Sequence, residues 1–112
     1  MFEYVKINET TRPVKFGFNA LRHFSRMTGM SIQDMDKIGQ NMTFDNAISL
    51  IFCGLQDGCR AAKEDFTMSI DDLADDLDND YDAIERCMVI FADMMTPDKQ
   101  KKSQEKKKKG KK

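Results

Sequence analysis

The stretch from Thr43 to Ala62, TFDNAISLIFCGLQDGCRAA, restricts the folds open to this chain more than any other. Phe44, Ala47, Ile48, Ile51, Phe52, Leu55, Cys59 and Ala62 recur at steps of three and four, which places them on one stripe of an α-helix. Thr43 is suited to cap the first turn, and Asp45 puts a negative charge at the positive end of the helix dipole. Gly54 and Gly58 lie one turn apart and leave a notch for a close neighbour; the helical stretch at 81–95 is the neighbour the sequence suggests. Asp45, Asn46, Gln56 and Asp57 interrupt the apolar run below the roughly 18 residues a membrane span needs. The pattern predicts a central core helix of a water-facing domain, with no membrane partner.

What surrounds that helix must be small. The chain has 112 residues, 40% hydrophobic and 33% charged, enough for one modest core. Its net charge of −1 hides a division. Residues 1–95 carry 9 Lys or Arg against 17 Asp or Glu, a balance of −8, and residues 96–112 carry 9 Lys against Asp98 and Glu105, a balance of +7. This predicts an acidic helical domain over 1–95 and a lysine-rich tail over 96–112. The tail contains no aliphatic or aromatic side chain and has the composition of a disordered segment.

Local signals divide the domain further. Residues 2–7 and 12–18 are rich in β-branched and aromatic side chains around the polar connector Asn8–Thr11, which predicts an N-terminal β-hairpin with Pro13 on an edge strand. Helical spacing then places Leu21, Phe24 and Met27 on one side of a helix stopped by Gly29. Ser31 with Asp34, an acidic variant of the capping box, opens a short helix carrying Ile32, Met35 and Ile38. After the core helix, Lys63–Met68 reads as a loop. Ser69 with Asp72 opens a helix carrying Ile70, Leu73 and Leu77. A last helix from Tyr81 to Met95 presents Ile84, Cys87, Met88, Phe91 and Met95, and Thr96-Pro97 closes it. The expected fold is mainly α: about five helices preceded by a short hairpin.

Reactive chemistry finds little support. Cys53, Cys59 and Cys87 form an odd set without disulfide-framework density, and Met1–Tyr4 lacks the basic leader and apolar run of a signal peptide, so a reducing cytoplasm is the expected compartment. Five residues separate Cys53 from Cys59, and the single histidine, His23, completes no zinc pattern. Ten carboxylates between Glu64 and Glu85 suggest calcium, but a loop begun at Asp76 puts Tyr81 at the glycine position and Cys87 at the bidentate glutamate position. A nucleophile with its base is also missing. The residues predict no catalytic site, no metal and no cofactor.

Binding is the better-supported class. Nine methionines is a high number for this length, and flexible thioethers re-pack around varied partners. Core filling accounts for most of them. Met30, Met42, Met94 and Met95 fall at helix ends and are the candidates for partner contact. Self-association is compatible with the same surface. The lysine tail has no interleaved aromatic residue, so nucleic acid would be held only non-specifically, against the charge of the acidic body. A helical adaptor or regulator using that tail is the alternative reading.

The order of these pieces resembles the tail assembly chaperones of long-tailed phages. The residues that carry the resemblance are the run VKFGFNALRHF from Val14 to Phe24, the Thr28-Gly29 helix end, the segment IFCGLQDGCR from Ile51 to Arg60, and FTMSIDDLAD from Phe66 to Asp75. The resemblance implies a non-enzymatic protein of the infected or lysogenic host's cytoplasm, absent from the mature virion. It further implies that the protein coats the tape measure protein, keeps it soluble and helps recruit tail tube subunits. In many such phages a programmed frameshift yields a longer product. The run Lys106–Lys112 requires adenine-rich codons, so the lysine tail is expected to reflect in part a slippery RNA sequence; a gene with no slippery heptamer or overlapping frame would refute this.

Overall fold

The computed structural model describes residues 2–31, 34 and 42–95. An antiparallel hairpin of β1 (Glu3–Ile7) and β2 (Thr10–Val14) is followed by four helices, α1 (Phe18–Thr28), α2 (Phe44–Ala62), α3 (Ile70–Asp78) and α4 (Asp82–Met95). The mainly helical architecture matches the expectation. The short helix expected around Ile32, Met35 and Ile38 and the stop at Thr96-Pro97 lie outside the described residues, as does the tail.

The hairpin differs from the sequence reading at both ends of its second strand. Asn8 and Glu9 alone make the turn, with φ of 49° and 68°, so β2 starts at Thr10 and pairs it with Ile7. Positive φ at both central residues is the geometry of a two-residue type I′ turn, which matches the right-handed twist of the strands. Glu9 pays a steric cost there, and Asn8 offsets it through tertiary hydrogen bonds. Its N–H donates to Asp80 Oδ2 at 2.8 Å and its side-chain amide to Asp76 Oδ1 at 3.2 Å. At the other end β2 stops at Val14, opposite Glu3, where its strand partner runs out. The Lys15 N–H turns instead to the Gly54 carbonyl of α2 at 2.9 Å. Phe18, placed in the strand by its sequence neighbours, therefore begins α1.

Helix ends follow their sequence signals closely. Thr43 Oγ1 accepts from the Asn46 N–H, Gly29 closes α1 in the left-handed region at φ 77°, and Ser69 and Asp72 form a reciprocal capping box. At Ser31 the geometry is different: both its N–H and its hydroxyl donate to Asp34 Oδ2.

Helix α2 lies at the centre, packed against α1, β2, α3 and α4. It is buried well beyond the predicted stripe: Leu50 and Cys53 are enclosed as fully as Ile51 and Leu55, and Gly54 and Asp57 are buried too. Its glycine notch admits the hairpin and the chain leaving it, not α4. A Cβ on Gly58 would stand 2.4 Å from the Pro13 carbonyl oxygen, and one on Gly54 would stand 2.4 Å from the Phe16 ring. Phe16 is wedged on its other side by Phe91 of α4, edge to face at 5.2 Å. Two predicted stripe positions lie at the surface, as does Met95, a candidate for partner contact. Phe44 is 64% exposed because the first turn of α2 projects past the core, and Met27 and Met95 are 48% and 39% exposed.

Candidate functional site

The four methionines singled out from sequence occupy different settings. Met30 follows the left-handed end of α1 and is partly buried; its carbonyl accepts from Ser25 Oγ at 2.6 Å, and its sulfur lies 3.8 Å from the Asn46 amide nitrogen. Met42, just before the α2 cap, also packs partly against the core. Met94 turns inward, its sulfur accepting from the Phe16 N–H at 3.3 Å. Met95 is the most exposed of the four. Met30 is thus drawn to the start of α2, and Met94 to the segment joining β2 to α1.

Other apolar side chains stand further out than any of these methionines. Phe18 is 86% exposed at the start of α1, Tyr81 74% before α4, and Val89 61% on its outer face. Helical spacing gives some warning of Val89, which shares its face with Glu85 and Asp93. For Phe18 the sequence offers no such warning, because its flanking residues read as strand.

A cleft of about 470 Å³ lies between α1 and the C-terminal half of α2, closed on one side by the loop after α2. Asn19, Arg22 and His23 enter it from α1, Gln56, Asp57 and Arg60 from α2, and Glu64, Asp65 and Phe66 from the loop. His23 Nδ1 and Gln56 Oε1 are 3.2 Å apart, and Phe66 packs edge-on against Phe52 at 5.2 Å. At its base is Asp57, whose side chain is 2% exposed. Neither carboxylate oxygen has a hydrogen-bond partner among the described residues. Arg60 Nη2 approaches Oδ1 at 3.6 Å, close enough for charge attraction but beyond a good hydrogen bond. Asp57 also lies beside Gly17, the N-cap of α1, a helix with no acidic residue in its first turn and no side-chain cap. From sequence Asp57 is only a break in an apolar run. The signal that it is enclosed is its spacing from Leu50, Cys53 and Gly54, which puts it on their face.

Compared with family models, curated proteins and solved structures, the chain finds no match.

Several other charged and thiol groups are tied up structurally. Arg86 donates to the Lys6 carbonyl at 2.8 Å and to Asp80 Oδ2 at 2.6 Å, joining β1 to the α3–α4 turn. Asp76 pairs with Arg12 of β2 at 3.9 Å. Two members of the acidic run are therefore fasteners for the hairpin, not part of a solvated face. Burial pushes the Cys53 thiol up to about 11 and the Cys87 thiol to about 12, so both stay protonated and unreactive at neutral pH. Among the described residues no cluster of three or more His, Cys, Asp or Glu side chains is placed to hold a metal ion, and no helix is long and apolar enough to cross a membrane.

Proposed function

We propose that this protein is a phage tail assembly chaperone, a non-enzymatic binder that keeps the tape measure protein soluble and helps bring tail tube subunits to it. The observation that carries this reading is where the resembling segments fall. Lys15 donates to Gly54, Phe16 fills the Gly54 notch, and Phe66 packs on Phe52. The stretches around Val14–Phe24, Ile51–Arg60 and Phe66–Asp75 thus make one packed unit, as expected if their shared pattern belongs to one fold.

The surface suits the task. Long amphipathic helices, the expected form of a tape measure segment, bind through apolar anchors at i, i+3, i+4 and i+7. Phe18, Phe44 and Met95 are large apolar groups held out on helix ends, and Met30 and Met42 are partly exposed before the start of α2. The charge of the body favours basic partner segments and repels acidic ones. The role belongs to the host cytoplasm and ends before the virion matures.

Co-expression tests the reading. With this chain present, the soluble fraction of its cognate tape measure protein is expected to rise several-fold and the two to co-purify. Unchanged solubility across repeated tape measure fragments would refute it. Salt-sensitive DNA binding that vanishes on truncation after Met95 would favour the adaptor reading instead.

A further inference from the structure

The outer faces of α1 and α3 carry opposite charge in matching rows. On α1, Ala20, Leu21 and Phe24 are buried, and the opposite side presents Phe18, Arg22 and Arg26, all exposed. On α3, Leu73 and Leu77 are buried, and the opposite side presents Asp71, Asp75 and Asp78, also exposed. The flanking sequence is as one-sided as the rows: no acidic residue occurs from Thr10 to Gln33, and no basic residue from Glu64 to Glu85. Among the described residues, ion pairs engage Arg12, Arg60 and Arg86 with Asp76, Asp57 and Asp80, and none reaches either row. Arg22 donates instead to Asn19 of its own helix. Folding gains little from the rows themselves. Like charges one turn apart on a helix repel, and Asp78 lies at the negative end of its helix dipole.

A second copy of the chain supplies the complement to both rows. Arg22 and Arg26 are about 6 Å apart along the axis of α1, and Asp71 and Asp75 are spaced alike along α3. Laid antiparallel, the two helices set Arg26 against Asp71 and Arg22 against Asp75, and a guanidinium fork matches a carboxylate. Phe18 then extends past Asp78 toward Tyr81, the exposed aromatic residue just beyond α3. That ring pair gives the contact an apolar anchor, which surface ion pairs alone lack. Within one chain both helices pack on α2 and no ion pair joins them, so the rows meet only between chains.

We infer that the outer face of α1 is a docking surface for the outer face of α3 of a second copy of this chain. Arg22 and Arg26 meet the carboxylates of Asp71, Asp75 and Asp78, and Phe18 meets Tyr81. The inference does not depend on the chaperone reading, since it concerns the chain without another protein.

Sedimentation of the full chain tests it. At about 10 mM salt, where the Debye length is about 30 Å, the weight-average mass is expected to rise with concentration to about two chains or more; at about 1 M salt it returns to one. Arg22→Glu/Arg26→Glu and Asp75→Lys/Asp78→Lys are each expected to remain single at low salt. All four positions face away from the core, so both variants keep the fold, which circular dichroism checks. Mixed in equal amounts, the two variants are expected to associate again, because the unaltered α1 face of one meets the unaltered α3 face of the other. A parent chain that stays single at low salt, association that persists in either variant, or a mixture that stays apart would each overturn the proposal. Persistence in the arginine variant alone would assign the acidic face to a neighbour's lysine-rich tail instead.

Discussion

Gly58 is the residue on which the packing of this protein turns. A helix and a strand approach more closely than side chains allow only where one of them has none, and here the Pro13–Val14 backbone occupies the space a Cβ would need. Backbone cannot step aside as a side chain can. Gly58→Ala is therefore expected to lower stability by about 3 kcal/mol, at the upper end for overpacking, and Gly54→Ala by about 1–3 kcal/mol because only the Phe16 ring must shift. Urea unfolding would measure both as changes in midpoint at constant slope. A Gly58→Ala protein within about 0.5 kcal/mol of the parent, the range of an ordinary surface change, would contradict the packing described.

At the scale of elements, the hairpin is held as much by polar fasteners as by apolar contact. Asp80 is the hub, accepting from the Asn8 N–H and from Arg86. The Asn8 hydrogen bond, foremost, and then the Arg86 guanidinium hold its carboxyl below the usual carboxylate range. A group with a lowered folded pKa stabilises the fold above its unfolded value, about 3.9, and that contribution is lost as pH falls through the folded value. Asp80→Asn is accordingly expected to be less stable than the parent at pH 7, with the two melting temperatures converging below about pH 4. A difference that stays constant through that range would show that ionised Asp80 contributes nothing.

These fasteners also mark where the sequence stops being legible. The caps at Thr43, Gly29 and Ser69 were readable because a cap depends on neighbours a few residues away. The extent of α2 was readable from its own periodicity. Asn8–Asp80 and Arg86–Lys6 join residues far apart in the chain, and no local pattern announces them. The same reason hid the occupant of the glycine notch. Two glycines a turn apart signal close approach, but whether a helix or a strand approaches is decided by topology. In the candidate site, the helix-end methionines were visible as a composition, whereas the exposure of Phe18 depended on where β2 runs out of partner. Asp57 looked like a polar interruption and proved to be enclosed by α1.

The whole molecule is a compact scaffold with its unusual features pushed to the ends of its helices. The core helix, which holds two of the three cysteines and the glycine pair, has its thiols and its notch consumed by packing. On the proposed chaperone reading, recognition falls to what surrounds it: Met30 and Met42 around the entry to α2, and Met94 and Met95 at the exit from α4. Methionine methyl NMR of the full chain, titrated with a purified helical segment of the tape measure protein, tests this most directly. The account predicts saturable shifts of the Met30, Met42, Met94 and Met95 methyls, with Met68 and Met88 unmoved. No shift at saturating segment, or shifts confined to Met68 and Met88, would contradict it.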